Sequence, residues 1–189
     1  MIRIGIVGDI GSGKSYIAKK FGHPIFNADV EVAKIYKRNR NCYKKLKKKL
    51  PKYIVSFPIK KNEVSRAIMS NKNNIKKIIK IVHPEVRIVM KQFLKKNKKK
   101  KIVVLDIPLL LENKINKKSD ILIFVEAKKK EINKKLKKRE NYNSKIFYKL
   151  KKLQLPLEIK KKKSDFIIKN NFKNNYVKKN VKNILKKIL

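Results

Sequence analysis

The sequence predicts an α/β fold: a mostly parallel sheet of about five strands flanked by helices. Three observations predict it. Two short runs, Ile102-Val103-Val104-Leu105 and Ile121-Leu122-Ile123-Phe124-Val125, are continuously apolar, the mark of parallel strands covered on both faces. Apolar strand-like runs alternate along the chain with longer stretches of helical periodicity, the order that builds a parallel sheet through crossover helices. The N-terminal run Ile2–Val7 stops at a glycine-rich turn and passes straight into a helical pattern, as the first strand–turn–helix of such a fold does.

The elements follow in order. Residues 2–7 form a buried strand, and 14–21 a helix with Ile17, Ala18 and Phe21 on one side. His23-Pro24 breaks that helix, and Pro24-Ile25-Phe26 opens a short strand leading to Asn27-Ala28-Asp29. Residues 30–50 read as one lysine-rich helix ending near Pro51; 51–62, with Pro51 and Pro58, are irregular. Residues 63–82 form one or two helices that stop at His83-Pro84, and another helix runs to about Leu94. After the solvated run Lys95–Lys101 come the strands 102–106 and 121–125. Helices follow at 128–139 and 144–153, separated by the polar segment Glu140-Asn141-Tyr142-Asn143. Phe166-Ile167-Ile168 is a last strand. The final helix carries Val177, Val181, Ile184, Leu185 and Ile188 on one stripe, which either docks on the sheet or lies on a membrane surface as a basic amphipathic face.

Composition narrows the function classes. The 189 residues suit one domain, and 42% apolar content is enough for a core. The single cysteine, Cys42, excludes an intramolecular disulfide and suits a reducing compartment. No run approaches the roughly 18–20 apolar residues of a membrane span, and the N-terminus lacks a signal peptide's layout. The expectation is a cytoplasmic protein with no membrane partner, a monomer or weak homo-oligomer. The net charge of +42 suggests a polyanion partner. However, only six of the 55 basic residues are arginine, and the lysines are spread along the whole chain. Base and phosphate readers lean on arginine's planar fork, so no specific nucleic-acid partner is expected. Lysine, asparagine and isoleucine share A/T-rich codons, so an A+T-rich genome is the favoured account of the excess, ahead of a selected polyanion-binding surface. Either origin favours anionic ligands and makes non-specific binding salt-sensitive.

The chemistry concentrates in Gly8-Asp9-Ile10-Gly11-Ser12-Gly13-Lys14-Ser15, a full match to G-x-x-x-x-G-K-[ST] with a strand before it and a helix after it. Three of the chain's five glycines fall in these eight residues. They let the backbone curl so that successive N–H groups face phosphate oxygens, and the following helix adds its positive end. Lys14 reaches the β- and γ-phosphates, and the Ser15 hydroxyl helps hold Mg²⁺. With thirteen acids in the chain, their positions inform. Asp29 follows the second strand at the ligand-binding edge of the sheet; it is either a base for a substrate hydroxyl or the N-cap of helix 30–50. Asp106 ends an apolar strand, where a carboxylate sits near Mg²⁺ or caps a turn. Arg139 stands alone among lysines and either clamps a transferring phosphate or faces solvent. His83, before a proline in a helical region, reads as a cap or packed residue ahead of a catalyst. No metal-spaced cysteine–histidine cluster and no G-x-S-x-G elbow occurs.

In combination these residues resemble the dephospho-CoA kinase family over essentially the whole chain. Gly-Asp-Ile-Gly-Ser-Gly-Lys-Ser resembles the family's Gly-Gly-Ile-Gly-Ser-Gly-Lys-Ser, Asn27-Ala28-Asp29 its Asp-Ala-Asp, Ile81-Val82-His83-Pro84 its Ile-x-His-Pro, and Asp106–Glu112 its Asp-x-Pro-Leu-Leu-Phe-Glu. Arg139, Gln154, Ser164-Asp165 and Asn170-Asn171 follow its later spacing. The resemblance implies transfer of the ATP γ-phosphate to the ribose 3′-hydroxyl of dephospho-CoA, with Mg²⁺. It implies one P-loop kinase domain with a nucleotide core at about 1–29, 98–138 and 164–189. A helical CoA-binding insertion would occupy 30–97 and a lid 139–163. It gives Asp29 the base role, sets Arg139 over the phosphates, adds Tyr16 to the nucleotide site beside Gly8–Ser15, and places Ser15 and Asp106 at the metal. It lines the acceptor site with His83, Pro108, Leu109, Leu110 and Glu112. The sequence departs from the pattern at Asp9 (for glycine), Tyr16 (for threonine), Asn27 (for aspartate) and Lys149, where arginine is common. Other readings are a P-loop kinase for a nucleoside or nucleotide, or a basic nucleic-acid-binding protein with a relic P-loop.

Overall fold

A computed structural model of the chain describes residues 1–138 and 142–189. Among them, five strands form one all-parallel sheet: β1 (Ile2–Gly8), β2 (Ile25–Asn27), β3 (Ile102–Asp106), β4 (Ile121–Glu126) and β5 (Phe166–Lys169), in spatial order β2-β3-β1-β4-β5. β1 is the central strand, paired with β3 through Ile2↔Ile102 to Gly5↔Leu105 and with β4 through Ile4↔Ile121 to Gly8↔Val125. Chain order therefore reverses on either side of β1, so the crevice beyond its carboxyl end is the ligand position such sheets favour. Strand alternation divides the core. Ile4, Ile6, Ile102, Val104, Ile123, Val125 and Ile168 share one face and bury against α1 (Lys14–Lys20) and α9 (Asn174–Ile188). The α9 stripe docks there through Val177, Val181 and Ile184, which settles the choice between sheet and membrane surface. No helix among the described residues is long and apolar enough to cross a membrane.

The described residues divide into two compact units. One comprises Met1–Asn27, Asn97–Tyr142 and Leu150–Leu189; the other comprises Ala28–Lys96 and Asn143–Lys149. The second is helical: α2 (Ala28–Arg38), α3 (Arg40–Lys49), α4 (Lys61–Ser70) and α5 (Lys72–Lys96), around a core that includes Ile35, Leu46, Ile54, Ala67, Ile78 and Val82. Cys42 is fully buried in it, and burial pushes its thiol up to about 11.

Two expectations fail here, each for a physical reason. Helix 30–50 is two helices. Asn39 takes an extended backbone (φ −92°, ψ 95°), and its Oδ1 accepts the Cys42 N–H at 2.8 Å, capping α3. A capping asparagine stabilises such a break by about 1 kcal/mol. Conversely, His83-Pro84 ends nothing: Pro84 lies inside α5. A proline there costs about 3 kcal/mol. Ile75, Ile78, Val82 and Val86 all bury along one face of that helix, at about 1.5–3 kcal/mol each, so packing outweighs the missing bond. The chain also forms α6 (Lys129–Lys137), α7 (Ser144–Lys151) and an unexpected α8 (Leu157–Lys162).

Arg3, in the central strand, pairs with Asp120 at 2.9 Å, and the two side chains are 9% and 0% exposed. Burial raises the Asp120 carboxyl above its usual range, opposed by the Lys117 N–H and by Arg3. Arg3→Met is predicted to destabilise the protein by about 3–5 kcal/mol at neutral pH, because it strands a buried carboxylate. With the carboxyl's pKa raised, the protonated form suits the fold. The loss should therefore be smallest in acid and grow as pH rises through that pKa. Urea unfolding across pH measures it, and adding Asp120→Asn should recover part of the neutral-pH loss.

Candidate nucleotide site

β1 is buried almost throughout and ends at Gly8, where the loop 8–13 turns the chain into α1. Gly13 stands at the helix start with φ +92°, a left-handed conformation that a side chain would strain. The space its Cβ would need is taken by the Asn170 amide. Asn170 follows β5 and is only 4% exposed. Its Nδ2 donates to the Ser12 carbonyl at 2.8 Å, and its Oδ1 accepts the Phe172 N–H at 2.9 Å. Four residues on, Asn174 Oδ1 accepts the Tyr16 hydroxyl at 2.8 Å. The loop after β5 thus holds the phosphate loop from outside. The sequence pointed to Asn170-Asn171 without a role. The available signal was position, since the residue ends a strand at the same sheet edge as the glycine turn.

Inside the loop, Lys14 is buried and curls back, its Nζ donating to the Asp9 carbonyl at 2.7 Å and the Gly8 carbonyl at 3.3 Å. The Ser12 hydroxyl is fully buried with no hydrogen-bond partner among the described residues. An orphaned buried hydroxyl in a loop rich in N–H groups is what a phosphate cradle leaves for its ligand. Ser15 is exposed at the helix start. Asp9, 5% exposed, turns Oδ1 to the Ile10 N–H at 2.8 Å and Oδ2 to Lys151 Nζ at 3.4 Å.

One strand over, Asp106 ends β3 with 3% exposure. Asn27 lies opposite it in register at the end of β2 and donates from Nδ2 to Asp106 Oδ2 at 2.5 Å. An aspartate at 27 would set two carboxylates against each other, raising the pKa of one. The amide instead holds Asp106 in place without competing for its charge. The donors Ser15 and Asp106 are hard oxygens, the kind Mg²⁺ prefers, and Mg²⁺ commonly takes one or two protein ligands and completes its shell with phosphate and water. The donor set fits the ion, although no cluster of three or more acid, histidine or cysteine side chains that could hold a metal occurs among the described residues.

The residues expected at the acceptor fall in both units. Pro108 and Leu109 are half-buried in the turn after β3. Leu110 is fully buried, and a Cβ on Gly5 would meet its Cδ2 at 2.6 Å. Leu110 is therefore a core residue that presents no surface to a ligand, and Gly5 exists to make room for it. Glu112 is committed inside the protein. Its Oε1 accepts the Leu155 N–H at 3.0 Å and pairs at 2.7 Å with Lys160, itself 1% exposed. The second unit carries the rest. Asp29 is the exposed second residue of α2, inside the helix and not at its cap. There its charge suits the positive helix end. His83 is half-buried in α5. Lys149, which stands where arginine is common in the resembled family, donates to the Ile68 and Met69 carbonyls at 2.7 and 2.8 Å, serving the C-terminal turn of α4. Arg139 lies outside the described residues.

A family model and the curated relatives agree on one family. A family model described as dephospho-CoA kinase matches residues 2–175. The dephospho-CoA kinase of Wolbachia pipientis wMel is 33% identical over 187 residues, covering 96% of this chain and 95% of that protein. That of Prochlorococcus marinus is 33% identical over 192 residues, with 97% and 94% covered. Among solved structures, TT1252 from Thermus thermophilus aligns over 100% of this chain and 98% of its own at 26% identity, with a TM-score of 0.81. Dephospho-CoA kinase from Campylobacter jejuni, at 22% identity and a TM-score of 0.62, shares the fold.

Asn170→Asp removes the donor to Ser12 and keeps the acceptor for Phe172. It is predicted to weaken ATP binding about tenfold and to cost about 1–3 kcal/mol of stability, the range for an unpaired buried polar group. Isothermal titration with ATP and thermal unfolding measure the two effects.

Proposed function

The chain belongs to the dephospho-CoA kinase family, and we propose from that premise how its own residues divide the reaction. The γ-phosphate of ATP passes to dephospho-CoA, giving coenzyme A and ADP, the last step of coenzyme A synthesis. The backbone N–H groups of Gly8–Ser15 hold the phosphates, with Tyr16 bracing the start of α1. Lys14 moves its ammonium from the loop's own carbonyls to the β- and γ-phosphates. Asp29 accepts the proton of the ribose 3′-hydroxyl as that oxygen attacks. Arg139 supplies a guanidinium to the transferring phosphoryl group, from a lid at about 139–163. Ser15 and Asp106 would hold Mg²⁺, which would supply charge neutralisation on the phosphate oxygens. His83, Pro108 and Leu109 contact the acceptor, and Glu112 fixes the turn that carries Pro108 and Leu109. The helical insertion at about 30–97 binds the CoA moiety.

The observation that carries the nucleotide half is the loop itself. It is a glycine turn with a left-handed Gly13, an inward lysine and an orphaned Ser12 hydroxyl, one strand from a buried carboxylate. Catalysis here rests on positioning and charge more than on covalent chemistry.

Asp29→Asn is predicted to lower kcat by about 10²–10⁴, the range for a lost general base, while ATP affinity stays within about twofold. Steady-state ADP release and ATP titration report the two quantities. Near wild-type turnover in the variant would remove Asp29 from the base role.

A further inference from the structure

A phosphate loop works by presenting donors, so a carboxylate within it opposes its own ligand. Asp9 is such a carboxylate, and at 5% exposure it cannot be screened by water. It is tolerated because two donors meet it: the Ile10 N–H on Oδ1 at 2.8 Å, and the Lys151 ammonium near Oδ2 at 3.4 Å. Lys151 ends α7, 142 positions away in sequence. Its side chain is 43% exposed and that of Asp9 is 7% exposed. The pair sits at the rim of the loop, open to solvent on the lysine side. At 3.4 Å it is longer than the roughly 2.7–2.9 Å of a tight charge-assisted bond. The ammonium is thus stationed beside the loop on a flexible stem. Two residues earlier, Lys149 already spends its ammonium on the Ile68 and Met69 carbonyls. Of these two lysines, Lys151 is the one that reaches the phosphate loop.

We propose that Lys151 is a second ammonium of the ATP site, positioned there by Asp9. The acid that departs from a plain glycine loop is then an anchor. It holds a cation at the loop's edge, where ATP phosphates meet it as they enter, and the pair leaves the loop's net charge unchanged. Lys14 serves from within the loop and Lys151 from its rim. The inference rests on the ATP-dependent reading above and does not depend on which acceptor is used.

The test is ATP binding with Mg²⁺ and no acceptor, by isothermal titration, on Lys151→Ala, Lys151→Arg, Lys152→Ala, Asp9→Asn and the Asp9→Asn/Lys151→Ala double variant. Lys151→Ala should weaken ATP about tenfold, the scale of a partly exposed charge-assisted contact. Lys151→Arg should restore it to within about threefold. Lys152→Ala, which removes the same charge from the adjacent exposed position, should change it less than twofold. In the Asp9→Asn background, Lys151→Ala should cost less than twofold, because the anchor is already gone. Wild-type affinity in Lys151→Ala, or an equal loss in both backgrounds, would overturn the proposal. A wild type that binds ATP yet fails to turn over dephospho-CoA counts against the acceptor reading alone.

Discussion

A loop that aims its N–H groups at a ligand cannot satisfy them from within, and so it must be held from outside. That constraint organises the sheet-bearing unit. β1 lies at the sheet's centre, buried between β3 and β4, and delivers Gly8 to the carboxyl edge on a rigid base. The loop's far end is fixed by Asn170, whose amide fills the space Gly13 leaves and bonds the Ser12 carbonyl. Tyr16 and Asn174 tie the first turn of α1 to the same region. Without those ties the glycines would make the loop a flexible turn. With them, the conformational entropy of ordering it is offset in folding and not at the moment of binding.

Charge follows a related logic. A chain of net charge +42 has cations everywhere and few acids, so the acids in buried places are the informative groups. In the sheet-bearing unit each has a specific partner: Asp9 meets Lys151, Asp106 meets Asn27, Glu112 meets Lys160 and Asp120 meets Arg3. Exposed lysines contribute little individually to stability. The buried pairs instead set register: Arg3 with Asp120 at the amino edge of β4, Lys160 with Glu112 between α8 and the turn after β3. The asparagine at 27 belongs to the same pattern. It orients a buried carboxylate with a neutral donor where a second acid would contest the proton.

Much of this was legible in the sequence, and the limits of legibility have physical causes. The glycine loop is local chemistry with a strict pattern, so it reads directly, as do the continuously apolar strands β3 and β4 and the Val177, Val181, Ile184 stripe of α9. What did not read was decided by tertiary contact. Pro84 looks like a helix stop, but α5 runs through it because the face containing Val82 and Val86 is buried. Asn39 looks like one polar residue in a lysine-rich helix, but its side chain caps α3. Leu110 and Glu112 stand in one motif yet serve different ends. One fills the hollow over Gly5 and the other anchors Lys160. Lys149 shows the same limit: the sequence marks it as a lysine where arginine is common, and only the structure reveals the α4 carbonyls it serves.

A phosphate loop of this construction, in this family's setting, passes phosphate to one acceptor. The most direct test is ADP release by the purified chain with ATP and Mg²⁺, comparing dephospho-CoA with adenosine, deoxyadenosine and shikimate at equal concentration. Turnover is expected with dephospho-CoA, giving a product with one new phosphomonoester on the ribose by ³¹P NMR, with background rates for the others. Turnover confined to a nucleoside, or ATP hydrolysis at one rate regardless of acceptor, would contradict it.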